Sequence, residues 1–119
     1  MYEKLFLTPF INILTLYENK VKRKGFEVNS VYDIIQWMTG YNQQDIVSTE
    51  KTVKAFFEEA PHMNPLKHSV YGVICGIRVE DLESSLIKDI RILDKLIDDL
   101  SKGKTIHQIF RKYGIDDGV

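Results

Sequence analysis

The chain has 119 residues, 44% of them apolar and 28% charged, with a formal net charge of −1. That size and balance suit one globular domain with its own core and exclude a collagenous or disordered chain. The near-zero charge removes a general attraction to nucleic acid or anionic lipid, the single cysteine removes an internal disulfide and CxxC chemistry, and the short apolar runs leave no membrane span.

The opening MYEKLFLTPFINIL has no basic leader region and no small-residue cleavage site, so no signal peptide is expected and the reduced cytoplasm is the expected compartment. Thr8-Pro9 reads as an N-cap followed by proline at the first helical position. Phe10, Ile13, Leu14, Tyr17 and Val21 then recur at helical spacing, with Lys20, Lys22, Arg23 and Lys24 crowding the last turn before Gly25. Ser30 with Asp33 matches a capping box for a helix using Val31, Ile34, Ile35 and Met38, closed by Thr39-Gly40. A helical turn over Gln43 to Val47 follows. Another helix starts near Thr52, uses Val53, Phe56, Phe57 and Ala60, and is stopped by Pro61.

From Pro61 to Asp81 neither the helical nor the strand period holds, and the segment carries two of the three prolines, two of the three histidines and Cys75. It reads as an irregular connector able to contribute one short extended piece. Leu82, Leu86, Ile90, Leu93, Ile97 and Leu100, widened by Ile87 and Leu96, give the strongest helical stripe of the chain. Gly103 breaks it, and Thr105 can cap a last helix using Ile106, Ile109, Phe110 and Tyr113 before Gly114 and a polar tail. The expectation is a mainly α fold: a single helical domain over residues 1–119, a compact bundle of five or six helices with an irregular connector at about residues 61–81.

Each motif that could carry chemistry has a plainer reading. His62, His68 and Cys75 have no recognised metal-ligand spacing, and the apolar setting Val73-Ile74-Cys75 predicts a buried, inert thiol. Arg78 can clamp a carboxylate or phosphate with Glu80 and Asp81 beside it; the plainer reading puts both acids in the first turn of the long helix. Gly72 and Gly76 lack the third glycine of a dinucleotide fingerprint and suit turns instead. Asp94, Asp98 and Asp99 fit a solvated helix face with Lys95–Asp99 and Asp98–Lys102 ion pairs better than a metal site, which would want more carboxylates or a histidine from a second helix. The basic C-terminal run resembles half of a helix-turn-helix, yet only five residues follow Gly114, too few for a recognition helix. Trp37, Tyr41, Tyr71 and Tyr113 can line a pocket but suit the core or its rim.

The blocks Trp37-Met38-Thr39-Gly40-Tyr41, Phe56 to Pro61 with Asn64-Pro65, Gly72 to Glu80, and Ile90 to Asp98 resemble, in order and at matching spacing, those of the domain-of-unknown-function 2200 family of small prokaryotic proteins. The resemblance spans nearly the whole chain, and the WMTGY and CGIRVE blocks are its specific part. It implies a small, mostly helical cytoplasmic protein and supplies no catalytic residues. Members of that family often have a proline just after the RVE block; this chain has Ser84-Ser85, which would cap the long helix instead.

The leading functional expectation is a binding or protein-interaction module without catalysis, with homodimerisation as one form of it. No cofactor or metal is expected, no membrane association, and nucleic-acid binding through the basic helix ends is the weakest alternative. Its candidate surface comprises His62, Asn64, Arg78 and Glu80 together with Trp37 and Tyr41. The alternative is a small enzyme or ligand binder with a pocket between the connector and Trp37–Tyr41, which requires Arg78, Glu80 and one of His62 or His68 to converge.

Overall fold

The long stripe ending at Ser101 becomes the helix on which the rest of the molecule is assembled. In this computed structural model, which describes residues 2–115, the helices are α1 (Glu3–Leu7), α2 (Phe10–Arg23), α3 (Asn29–Thr39), α4 (Gln43–Val47), α5 (Val53–Glu58), α6 (Leu86–Ser101) and α7 (Ile106–Lys112). Between α5 and α6 lie a 3-10 helix (Pro65–Ser69), an antiparallel hairpin of β1 (Val73–Ile74) and β2 (Ile77–Arg78), and a second 3-10 turn (Val79–Asp81). The fold is mainly α, as expected, with α1 as a helix that the sequence pattern did not signal. The end of the polar tail, beyond Ile115, falls outside the described residues.

Four of the helix starts are set by side chains that accept a free N–H of the first turn. Asn42 accepts from Asp45 N, Thr52 from Ala55 N, Ser85 from Lys88 N, and Thr105 forms a reciprocal capping box with Gln108. Ser85 therefore starts α6 at Leu86, leaving Leu82 in the preceding loop and Glu80 and Asp81 outside the helix. Two expected caps are absent. Pro9, not Thr8, occupies the N-cap position of α2, and the Thr8 hydroxyl donates to Lys4 O at 2.7 Å. The reason is that residues flanking Pro9 pair with the start of α5: Phe10 N–H reaches Lys51 O at 2.9 Å and Val53 N–H reaches Thr8 O at 2.8 Å. Each helix thus satisfies an orphan donor of the other. The Ser30/Asp33 box also fails, because α3 already begins at Asn29 behind an α-conformation Val28, so Ser30 sits inside the first turn.

The buried apolar side chains form one cluster. Phe10 and Phe56 lie face to face with ring centroids 3.7 Å apart, Phe57 meets both edge-on, and Tyr41 stacks on Phe56. Because α2, α3, α5, α7 and the hairpin all pack on α6, that helix is buried well beyond its predicted stripe. Ile92, Lys95, Asp99 and Ser101 are all enclosed. A helix covered on most of its circumference would ordinarily be apolar all round; Lys95 and Asp99 are the charged exceptions, and they lie where the connector meets it.

Candidate functional site

The connector is attached to the bundle at both ends. At its start it satisfies the last carbonyls of α3: His62 N–H donates to Thr39 O at 3.0 Å, Asn64 N–H to Met38 O at 2.9 Å, and the Asn64 side-chain amide to Trp37 O at 3.3 Å. The other end of the Asn64 amide accepts from Leu66 N and caps the 3-10 helix. Gly40 makes this approach possible, since it has φ +83° and a Cβ there would sit 2.8 Å from His62 Cβ. Lys67 then ties the 3-10 helix to α6 through a 2.9 Å ion pair with Asp89.

The hairpin register pairs Val73 with Arg78 and Ile74 with Ile77. Cys75 and Gly76 form its two-residue turn with φ of +52° and +77°, the left-handed pair that a type I′ turn demands. Ile74 is buried, so alternation along the strand turns Val73 and Cys75 outward. The expectation of a buried Cys75 is therefore wrong: the apolar neighbours reflect one inward residue, not an inward segment. Gly72 and Gly76 serve turn geometry, as their spacing suggested.

At the base of the hairpin Glu80 accepts from Gly72 N–H at 2.9 Å, and this bond is the main reason its carboxyl lies below the usual range. Arg78 is exposed and only loosely paired, with Nη1 3.8 Å from Glu80 and Nε 4.0 Å from Asp81. Beneath the hairpin lies a buried polar cluster that the sequence pattern missed. Asp99 accepts from Lys95 Nζ at 2.8 Å, from Lys112 Nζ at 3.3 Å and from the Tyr113 hydroxyl. Tyr71 closes it, meeting the Tyr113 ring edge-on and donating to Lys112 O at 3.2 Å. Lys95–Asp99 is thus not the solvated pair expected from its i,i+4 spacing, because α7 and the connector cover that face. Burial alone would push the Asp99 carboxyl up; the hydrogen bonds from Lys95 and Tyr113, with the charges of Lys95 and Lys112, outweigh it and hold the group below its ordinary value. Burial and the adjacent Asp99 carboxylate raise the Tyr113 phenol, so it stays a donor.

The remaining acids of α6 are also engaged. Asp98 bridges Lys20 and Lys102, and Asp94 accepts from Tyr17 and Arg91. Among the described residues no group of three or more His, Cys, Asp or Glu is placed to hold a metal ion. Trp37 is half-buried against Phe110, and Tyr41 is buried with its hydroxyl on Phe56 O at 2.7 Å.

Three cavities are notable. An open polar cleft of about 520 Å³ lies beside Tyr41, between Asp45 and Lys51. A groove of about 380 Å³ separates Phe26 and Ser30 from Lys104 and His107. A more enclosed cavity of about 140 Å³ is bounded by α1, α2, α5 and α6. None of the three is lined by His62, His68, Arg78 or Glu80, so these cavities do not provide the convergence that an enzyme built on those residues requires. Among the described residues no helix is long and apolar enough to cross a membrane.

Comparison with known proteins agrees with the sequence resemblance. A family model described as "uncharacterized protein conserved in bacteria" (DUF2200) matches residues 4–111. The crystal structure of uncharacterized protein SP1917 is similar throughout: TM-score 0.88 at 37% identity, covering 98% of this chain and 98% of that one. No curated protein matches the sequence.

Proposed function

Because the chain belongs to the DUF2200 family, whose description names no activity, we propose a function from its own surface: a small cytoplasmic protein-interaction module, without catalytic activity, that binds through the outward face of the connector. The observation that carries this reading is the hairpin. Tyr71 and Val73 are 45% and 50% exposed, and Val73 stands opposite the exposed Arg78 across the register. Tyrosine and arginine are the residue types that anchor protein interfaces, and the exposed Val73 between them adds apolar area on a short stiff element. The element is stiff because Gly72 rests on the Lys95–Asp99 pair and Tyr71 is bonded to α7. Nucleic-acid binding has less support, since Lys20 and Lys112, two of the cations at the basic helix ends, are spent on Asp98 and Asp99.

Cys75, the only cysteine of the chain and exposed at the hairpin tip, provides the test. A photoactivatable crosslinker attached there should give a discrete adduct, with a second copy or with another protein, that Val73→Asp abolishes while the melting temperature is kept. Sedimentation showing only monomer, together with no Val73-dependent adduct, would remove the proposal.

A further inference from the structure

The 140 Å³ cavity among α1, α2, α5 and α6 is independent of the hairpin and has a different chemistry. Most of its wall is hydrocarbon: Phe10 and Ile13 from α2, Val53 and Phe57 from α5, Ile90 from α6. One side is polar. There the Tyr17 hydroxyl donates to Asp94 Oδ1 at 2.5 Å and Arg91 Nη1 donates to Asp94 Oδ2 at 3.2 Å. Burial, reinforced by the Asp94 carboxylate, holds the Tyr17 phenol well above its ordinary pKa, so it stays protonated. The polar side therefore carries one positive and one negative charge in contact, and no net charge.

Both Asp94 oxygens already have a donor, whereas Asp94 engages Arg91 through Nη1, leaving further guanidinium N–H groups to serve another acceptor. We propose that this cavity binds a small uncharged molecule with an aromatic or branched hydrocarbon body and one hydroxyl or carbonyl oxygen, which accepts from Arg91. Size sets the body: a dry cavity of roughly 150 Å³ lined by Leu, Ile and Phe admits benzene, so about six to eight non-hydrogen atoms fit. Charge sets the head group. The Arg91 and Asp94 side chains are 20% and 23% exposed and neutralise each other, so an anion or a cation entering here gains little net attraction to offset its own desolvation.

A way in is visible. Leu16 lines the cavity yet is 63% exposed, which places it at the mouth. Leu5 closes the site from α1, a five-residue helix with no buried residue and no side-chain cap. A helix that short has little stability of its own, so its displacement opens the cavity at the cost of the half-buried Leu5 and Phe6 contacts and of no fully buried side chain.

The test titrates the full chain with benzyl alcohol, toluene and benzoate, observed by methyl and amide NMR and by melting temperature. Benzyl alcohol is expected to bind with a Kd of roughly 1 mM or tighter. Its shifts should concentrate at Ile13, Val53 and Ile90, with toluene and benzoate each weaker by about tenfold. Leu16→Trp should block the mouth and reduce binding by at least about tenfold with the unliganded melting temperature unchanged. Absence of binding, shifts elsewhere, benzoate binding best, or equal affinity in Leu16→Trp would each overturn the proposal. Should the variant misfold, the shift map on the native chain still locates the bound molecule inside or outside this cavity.

Discussion

Replacing Asp99 by asparagine isolates the energetic role of the buried cluster under the hairpin. Three donors converge on this carboxylate, and they differ in how easily they can retreat. The Lys112 side chain is 31% exposed and can turn to water, and the Tyr113 hydroxyl can still donate to the asparagine oxygen. Lys95 cannot, because its side chain is 7% exposed and lies between α6 and Gly72. Asp99→Asn therefore leaves one buried ammonium without a counter-ion, a defect that costs about 3–5 kcal/mol. Against a total stability of roughly 5–15 kcal/mol for a domain this is a large fraction. With a urea slope of about 1.5 kcal/mol per molar, the midpoint should fall by roughly 2–3 M, followed by far-ultraviolet circular dichroism. Lys95→Met removes the trapped cation and leaves Asp99 with Lys112 and Tyr113, so its cost should be about 1–2 kcal/mol. The double variant should be more stable than Asp99→Asn alone, which is the signature of a charge stranded by loss of its partner. The pH dependence has a fixed sign. Asp99 is held below its ordinary value in the folded state, so its contribution is complete above the unfolded carboxylate pKa near 3.9 and is lost as pH falls through the lower folded value. The gap between wild type and Asp99→Asn should be flat from about pH 8 to 5 and narrow below about pH 4. A cost under about 1 kcal/mol, or a double variant less stable than Asp99→Asn, would refute this account.

Four further outcomes follow from the connector. Gly72→Ala places a methyl 2.7 Å from Lys95 Cε at φ +117°, and Lys95 is held by Asp99, so thermal melts should show a loss of about 2–4 kcal/mol. Cys75→Asn converts the hairpin turn to Asn-Gly and relieves a left-handed cysteine; chemical denaturation should show a gain of about 0.5–1 kcal/mol, and a loss would contradict the type I′ turn. Native wild type should also react with one equivalent of a thiol reagent without denaturant, as an exposed Cys75 requires. Asn64→Ala deletes the cap of the 3-10 helix and the bond to Trp37 O, for about 1–2 kcal/mol in the same denaturation assay.

What could be read in the sequence was what depends on local chemistry. Ser85 and Thr105 cap the helices they were expected to cap, a helix does start beside Thr52, and Gly25, Gly40 and Gly103 all take positive φ where helices end. The stripe of α6 from Leu86 to Leu100 was equally plain. Two of the failures share one cause, which is that a neighbour distant in sequence decided the outcome. Thr8 gives way to Pro9 because residues 51–53 pair with that stretch. Lys95 and Asp99 look solvated because i,i+4 spacing carries no information about what covers a helix, and here α7 and the connector do. Cys75 looks buried because three apolar neighbours hide a period of two until the turn is located. A Cys-Gly pair between Ile74 and Ile77 was the available signal, since positive φ at both positions marks a hairpin. Among the candidate site residues Arg78, Glu80 and His62 have exposed side chains, whereas Asn64 and Trp37 are half-buried and Tyr41 is buried with its hydroxyl on Phe56 O.

The connector and α1 represent two ways of attaching a segment to the same core. The connector contains little regular structure, yet it is joined to α3 through backbone bonds, to α6 through Lys67–Asp89 and Gly72, and to α7 through Tyr71. Lifting the hairpin gives up the Gly72 and Tyr71 contacts, and Lys95 and Asp99 would then be exposed on one side of a helix otherwise surrounded by hydrocarbon. α1 is regular but contributes no buried residue and rests on the core through half-buried Leu5 and Phe6. Local opening costs scale with the buried contacts that a segment gives up, so the irregular segment is the rigid one and the short helix is the movable one. That ordering is what the two functional readings need: a fixed face on which Tyr71, Val73 and Arg78 hold their relative positions, and a cover over the α1–α2 cavity that can move aside.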